Sequence, residues 1–387
     1  MHLFFLLLTH LLSANLFALH FDPPIHSLRT SLTSASFSSN LVQQSSHLIY
    51  TNDFRNVFNG TIGDIFDFQL HLNHHYQQSN KSIPLRPSIS PFEQFSHQIY
   101  NKDDFLSKID RLQLSFQSKG LDYVVGRQAI SFGTSHFISA MDVINPFAPG
   151  TIDSSFKPGI DALRIQKALS DTGEIEFIFA ANQINKDNAY FLRSRVLKNN
   201  IDYEILVGRF RQHNMVALGF EGEVKSQSVW GEFSLINYDE NLLDTIDQQS
   251  LNLALNLGLD FHPNIGETIS LSWFHQEAGA KNPKDFHRVQ SNPSFIEQFS
   301  YLRGRNYLNL SYQRKIKHLV DFASSVIYNT QDHSSYIQPK LHINTSDNSS
   351  LVLFYTLGIG KEATVGGINS DFGDLPHTVG LFSQIYF

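Results

Sequence analysis

Leu251-Asn252-Leu253-Ala254-Leu255-Asn256-Leu257-Gly258-Leu259-Asp260-Phe261 alternates without a break, Leu or Phe against Asn, Ala, Gly or Asp. Successive side chains of a strand point to opposite faces, so this stretch is apolar on one face and polar on the other. Strands in soluble sheets run to about 5–6 residues, whereas a tilted strand crossing hydrocarbon needs about 9–11. The edge of a soluble sandwich can carry one such strand. Recurrence distinguishes the two cases.

The pattern recurs along most of the chain. In 63–75, Phe66, Phe68, Leu70 and Leu72 alternate with Asp67, Gln69, His71 and Asn73; in 108–117, Leu112, Leu114 and Phe116 alternate with Gln113 and Ser115. The same period marks 121–130, 159–169, 174–183, 188–197, 201–210, 213–224, 227–237, 249–261, 267–276, 304–314, 318–328, 335–345, 350–359 and 377–387. That makes sixteen strands, an even number as single-chain bacterial barrels require. Every second connection is five residues or fewer, and most carry Gly, Asn, Asp or Ser, such as Ser118–Gly120, Lys198–Asn200 and Ser346–Ser349. The long connections, 76–107, 131–158, 238–248, 277–303 and 360–376, fall between them. Short turns at one end and long loops at the other are what one barrel orientation demands. The expected fold is therefore an all-β, transmembrane, antiparallel up-and-down barrel of about 16 strands, located in a bacterial outer membrane and facing its lipid.

Composition agrees. A mean hydropathy of −0.20 fits a wall whose lipid-facing and lumen-facing residues average out. The 33 Phe suit a surface against lipid and its interfaces. The absence of Cys removes the disulfide-stapled class, and a net charge of −7 argues against nucleic acid as a partner. Residues 1–18 read as a signal peptide, with a short apolar run from Leu3 to Leu12 and small residues at Ser13, Ala14 and Ala18. Residues 19–62 read as a partly flexible, Ser-rich lead-in, with His47–Tyr50 as a further short strand, and 63–387 as the barrel. Val379, Leu381, Ile385 and Phe387 share one face of the last strand. A terminal aromatic there resembles the signal read by the outer-membrane barrel assembly machinery, which makes that machinery an expected partner.

The most distinctive stretch is Leu121-Asp-Tyr-Val-Val-Gly126-Arg127-Gln128-Ala-Ile-Ser-Phe132-Gly133, followed by Asp142-Val-Ile-Asn145-Pro146-Phe and Gly159-Ile-Asp-Ala-Leu-Arg164. It resembles a segment of uncharacterised porin-like outer-membrane barrels, in which a Gly-Arg-Gln strand runs into an aromatic-Gly turn and an Asn-Pro loop. The likeness covers about 45 residues, and Phe132 stands where the family pattern usually has Trp. It implies a barrel and an envelope location, and no particular substrate. Strict alternation points Arg127 outward, unless Gly126 marks a bulge that turns it inward.

Read from its residues, 131–158 is too apolar for a loop in water, holding Phe137, Ile138, Met141, Val143, Ile144 and Phe147. Thr134 or Ser135 is placed to cap a short helix stopping before Pro146. A loop this long and apolar packs against something. Either it folds into the lumen and narrows it, or it lies as a lid over the outer mouth. In the first case His136, Phe137, Asp142, Asn145 and Asp153 are the constriction candidates, with Asp142 and Asp153 approaching Arg164, Arg193 or Arg195. Turning each strand's apolar face outward assigns Arg164, Arg193, Arg195, Glu174, Glu176, Asp202, Glu204, Glu221, Glu223 and Glu232 to the pore lining. Those charges either set a transverse field across a pore or pair with one another across strands.

No metal-ligand spacing, no Gly-x-Ser-x-Gly elbow and no cofactor motif is present, so neither an enzyme nor a cofactor is expected. Two functions stay open: a channel for passive or mildly selective diffusion of small solutes, or a plugged surface barrel acting as an adhesin or binding protein.

Overall fold

The computed structural model describes residues 19–39, 42–80, 92, 98–102, 104–152, 154–225, 227–238, 250–364 and 367–387; the expected signal peptide, 1–18, lies outside the described residues. Among the described residues, twenty strands form one sheet. They are β1 (Leu19–Phe21), β2 (Ile25–Ser39), β3 (Val42–Ile62), β4 (Phe66–Ser79), β5 (Gln98–Lys102), β6 (Phe105–Ser118), β7 (Leu121–Gln128), β8 (Ile160–Ser170), β9 (Gly173–Ala180) and β10 (Ala189–Lys198). The series continues with β11 (Ile201–Phe210), β12 (His213–Val224), β13 (Gln227–Asn237), β14 (Leu251–Phe261), β15 (Glu267–Gln276), β16 (Asn306–Lys317), β17 (Val320–Asn329), β18 (Ser335–Ser346), β19 (Ser349–Ile359) and β20 (His377–Tyr386). β1 and β5 are short and pair with β3 and β6 respectively. The other eighteen pair antiparallel in chain order, and β20 returns to β2, which closes the barrel.

Closure extends past the strand ends. His26 N–H donates to the Phe387 carbonyl at 2.9 Å, and Phe387 N–H donates back to the His26 carbonyl at 2.9 Å. The Phe387 ring lies 5.8 Å from the His26 ring and 6.3 Å from Phe54, so its side chain bridges the seam on the outer face. Exposed Tyr190, Leu192, Ile205, Val207, Leu218 and Leu271 continue that apolar face around the ring, while the alternate residues of each strand turn to the polar face. Lys119-Gly120 and Asn199-Asn200 make two-residue turns with positive φ at both positions, the conformation that matches strand twist.

All sixteen strands expected from alternation are present, and 201–210, 213–224, 227–237 and 267–276 have the expected bounds. The number is a correction, eighteen rather than sixteen, because 19–62 holds β2 and β3 instead of a lead-in alone. Their outer face explains the miss. Leu28, Leu32 and Phe54 share it with His26, Thr30, Asn52 and Asn56, so apolar alternation is diluted. Those polar groups satisfy one another across the strands: His26 Nδ1 lies 2.8 Å from Asn56 Oδ1, and the Thr30 hydroxyl donates to Asn52 Oδ1 at 2.7 Å.

Deleting Phe387 is expected to lower the yield of folded, heat-modifiable barrel more than deleting any loop tip, because it removes two seam hydrogen bonds and the ring across them. Gel mobility of unheated samples checks this; an unchanged folded fraction refutes it.

Candidate functional site

The alternation of β8–β11 puts charges of both signs on the polar face, and strand register sets them side by side. One row runs across four strands. Arg164 Nε donates to Glu176 Oε1 at 2.6 Å, Arg193 Nη1 to Glu176 Oε2 at 3.4 Å, and Arg193 Nε and Nη2 to Glu204 at 3.1 and 3.0 Å. A second row lies beside it. Gln166 Nε2 donates to Glu174 at 2.6 Å, Arg195 Nη2 donates to Asp202 at 2.9 Å, and Arg195 Nη1 is 3.8 Å from Glu174. The carboxylates of the first row, Glu176 and Glu204, are buried, and its arginines are partly so. The second stays open, with Arg195 and Asp202 side chains 40 % and 37 % exposed. Seven of the charged residues assigned to the lining thus form one patch of alternating sign.

The sequence reading missed the continuation of this wall. Arg55 Nη1 donates to Asp110 Oδ2 at 2.7 Å, Arg111 lies 3.2 Å from the same carboxylate, and Arg29 lies 3.8 Å from Asp53, which His75 approaches to 2.6 Å. Arg29, Asp53 and Arg55 sit in the unrecognised strands. Asp110 is the extra residue at a register shift between His71 and Leu72, so counting by twos loses it. The alternation of Phe54 and Phe58 with polar residues was the available signal. Arg127 is buried at 3 % exposure, 3.6 Å from Asp161, and its Cγ lies with Arg111 against Gly159; Gly126, at φ +116°, precedes it. A side chain in that conformation is strained, which is why Gly stands there.

Segment 129–159 is built around Glu232. Its carboxylate accepts the backbone N–H of Thr134 and Ser135, each at 2.6 Å, the Ser139 hydroxyl at 2.8 Å and Ala140 N–H at 2.6 Å. Gly133, at φ +82°, presses its backbone against that carboxylate, leaving no room for a Cβ. The short helix expected after Thr134 or Ser135 is absent among the described residues: Ser135 Oγ accepts Phe137 N–H at 3.4 Å, but Ala140 N–H turns to Glu232 instead of a carbonyl one helical turn back. Glu232 is therefore an anchor for the segment.

Further contacts reach around the ring. Phe132 packs on Phe191 at 5.0 Å, and the Phe156 ring lies 4.0 Å under the Arg55 guanidinium and 6.4 Å from His71. His136 sits 5.1 Å from the Trp230 ring, 3.4 Å from Asp260 and 3.8 Å from Glu221. Asn256 donates to Ser135 Oγ at 2.7 Å, and Gln338 donates to the Gly150 carbonyl at 2.7 Å. Phe137 is half-buried, its N–H directed to Ser135 Oγ, and Asn145, at φ +58°, donates to the Pro158 carbonyl at 3.4 Å. Asp142 does not approach Arg164, Arg193 or Arg195 as expected. It is buried on Lys157 of the same segment, and burial holds its carboxyl above the usual carboxylate range while Lys157 opposes the shift. Asp153 lies outside the described residues, and Glu223 is exposed near the end of β12, its N–H donating to the Asn200 carbonyl at 3.4 Å. Ala140 joins Leu302 and Phe372 of the 277–305 and 360–376 segments in one apolar cluster with Ala254, Phe274, Tyr307 and Ile327.

No protein-family model matches the chain, and no curated protein matches it. Solved structures do. A BenF-like porin from Pseudomonas fluorescens Pf-5 superposes with a TM-score of 0.62 at 9% identity, covering 95% of this chain and 98% of that one. Pseudomonas aeruginosa OccK5 (OpdH) gives 0.60 at 9%, covering 94% and 98%, and Acinetobacter baumannii OccAB4 gives 0.58 at 12%, covering 94% and 97%. At this identity the likeness is one of fold, over nearly the whole length of each chain.

Replacing Glu232 by Ala strands several buried N–H groups, at a cost on the order of 3 kcal/mol to the docked segment. Limited proteolysis is expected to cut 134–142 in Glu232→Ala while unheated gel mobility stays that of the folded barrel. Equal protease resistance of variant and parent sinks the anchor assignment.

Proposed function

We propose that this chain is an outer-membrane channel for passive diffusion of small hydrophilic solutes, narrowed by segment 129–159 folded into its lumen. The observation that carries the reading is the span of that segment's contacts. Its residues touch polar-face side chains of β3, β4, β6, β10, β12, β13, β14 and β18, which stand around the whole circumference. A lid above the rim would meet strand ends and loops instead. An eighteen-strand ring is wide enough to hold an aqueous passage as well as a folded segment. The open second row of Arg195, Asp202 and Glu174 supports a water-filled space beside it. The exposed apolar belt fits lipid, and the fold shared with porins of Gram-negative bacteria fits the same location.

The apolar cluster joining three long segments favours a second reading, a plugged barrel whose outer surface binds. Conductance separates the two. The folded chain is expected to open stepwise currents in a planar bilayer, and shortening 135–156 is expected to raise the step about twofold or more. Electrical silence of folded barrel, with and without the shortened segment, rejects the channel.

A further inference from the structure

We propose that the polar wall favours small uncharged, hydroxylated solutes over carboxylates and amines of equal size, an inference that rests on the channel reading above. Among the described residues, the seven arginines of the wall from β2 to β10 meet seven carboxylates, each within 3.8 Å. A channel that attracts anions needs guanidinium groups free to receive them. Here a passing carboxylate must first displace a protein carboxylate already held, leaving a charge unpaired on a half-buried wall. A passing ammonium meets the same obstacle at Glu176 and Glu204. Adjacent opposite charges also cancel one another's field beyond a few ångströms, so these paired rows themselves project little net potential into the channel.

A hydroxyl group faces no such competition. It donates and accepts at once, and paired charges keep spare capacity: a guanidinium has five N–H donors and a carboxylate about four acceptor sites. The rows Arg164–Glu176–Arg193–Glu204 and Gln166–Glu174–Arg195–Asp202 repeat donor and acceptor from strand to strand, about 4.8 Å apart. A polyol moving along that surface exchanges hydrogen bonds without opening an ion pair. The second row is the accessible one, with Glu174, Arg195 and Asp202 side chains 32 %, 40 % and 37 % exposed to water.

The test uses full-length folded chain in planar bilayers and in liposomes, with three six-carbon probes of matched size: sorbitol, gluconate and glucamine. In a KCl gradient, the ratio of potassium to chloride permeability is expected to lie within about twofold of unity, and sorbitol to enter at least about threefold faster than either charged probe. Glu176→Gln frees Arg164 and part of Arg193, and is expected to turn the channel anion-selective and bring gluconate uptake above sorbitol. If that variant fails to fold, Glu174→Gln frees one side of Arg195 in the open row and is expected to move selectivity the same way. A conducting wild-type channel that admits gluconate or glucamine faster than sorbitol overturns the solute class and leaves the channel standing. Unchanged selectivity in a folded variant overturns the pairing as its cause. Folded barrel without conductance overturns both readings.

Discussion

The β2–β20 seam runs from Ser27↔Tyr386 to Ser36↔His377 and joins two strands far apart along the chain. In a bilayer, a strand edge left open has no water for its N–H and C=O groups, and each unsatisfied group costs several kcal/mol. The seam removes the only two such edges the ring would otherwise have. Closure also supplies everything else in the molecule. It curves the sheet, turns one side of every strand toward a common axis, and brings the polar faces of β3 and β13 within reach of one segment.

Once the ring is closed, register does the electrostatic work. Arg193 and Glu176 are direct cross-strand partners, as are Arg195 and Glu174, and a slip of one residue would put each guanidinium among the exposed apolar side chains of the opposite face. The ion pairs therefore oppose misregister at the same time as they neutralise the wall. Burying paired charge adds little net stability, since desolvation offsets attraction. Its effect here is to fix which residues face inward.

Most of the barrel could be read from period two alone, because a wall between lipid and water imposes that period on every strand. The reading failed where the outer face departs from aliphatic: His26, Thr30, Asn52 and Asn56 conceal β2 and β3. Inward charges were legible on β8–β11 for the same reason that the strands were. Their pairing was not, since Arg164 meets Glu176 only through a register that no single strand encodes. Glu232 was legible as inward and illegible as an anchor. Its partners are backbone N–H groups of residues 134, 135 and 140, and a backbone donor leaves no mark in a sequence.

The distances along the chain between segment 129–159 and its partners have a consequence for the order in which the molecule assembles. Glu232 follows Thr134 by 98 residues, Asn256 follows Ser135 by 121, and Gln338 follows Gly150 by 188. Glu232, Asn256 and Gln338 stand on β13, β14 and β18, although the segment lies directly between β7 and β8. Full docking therefore needs β13, β14 and β18 in the sheet, and Met141, Ile144 and Phe132 are buried in a cluster built mostly from β8 to β13. Such late, long-range contacts are entropically expensive to close and slow to form. Complete docking is accordingly a late event for the segment, because it needs side chains from strands spread along most of the chain.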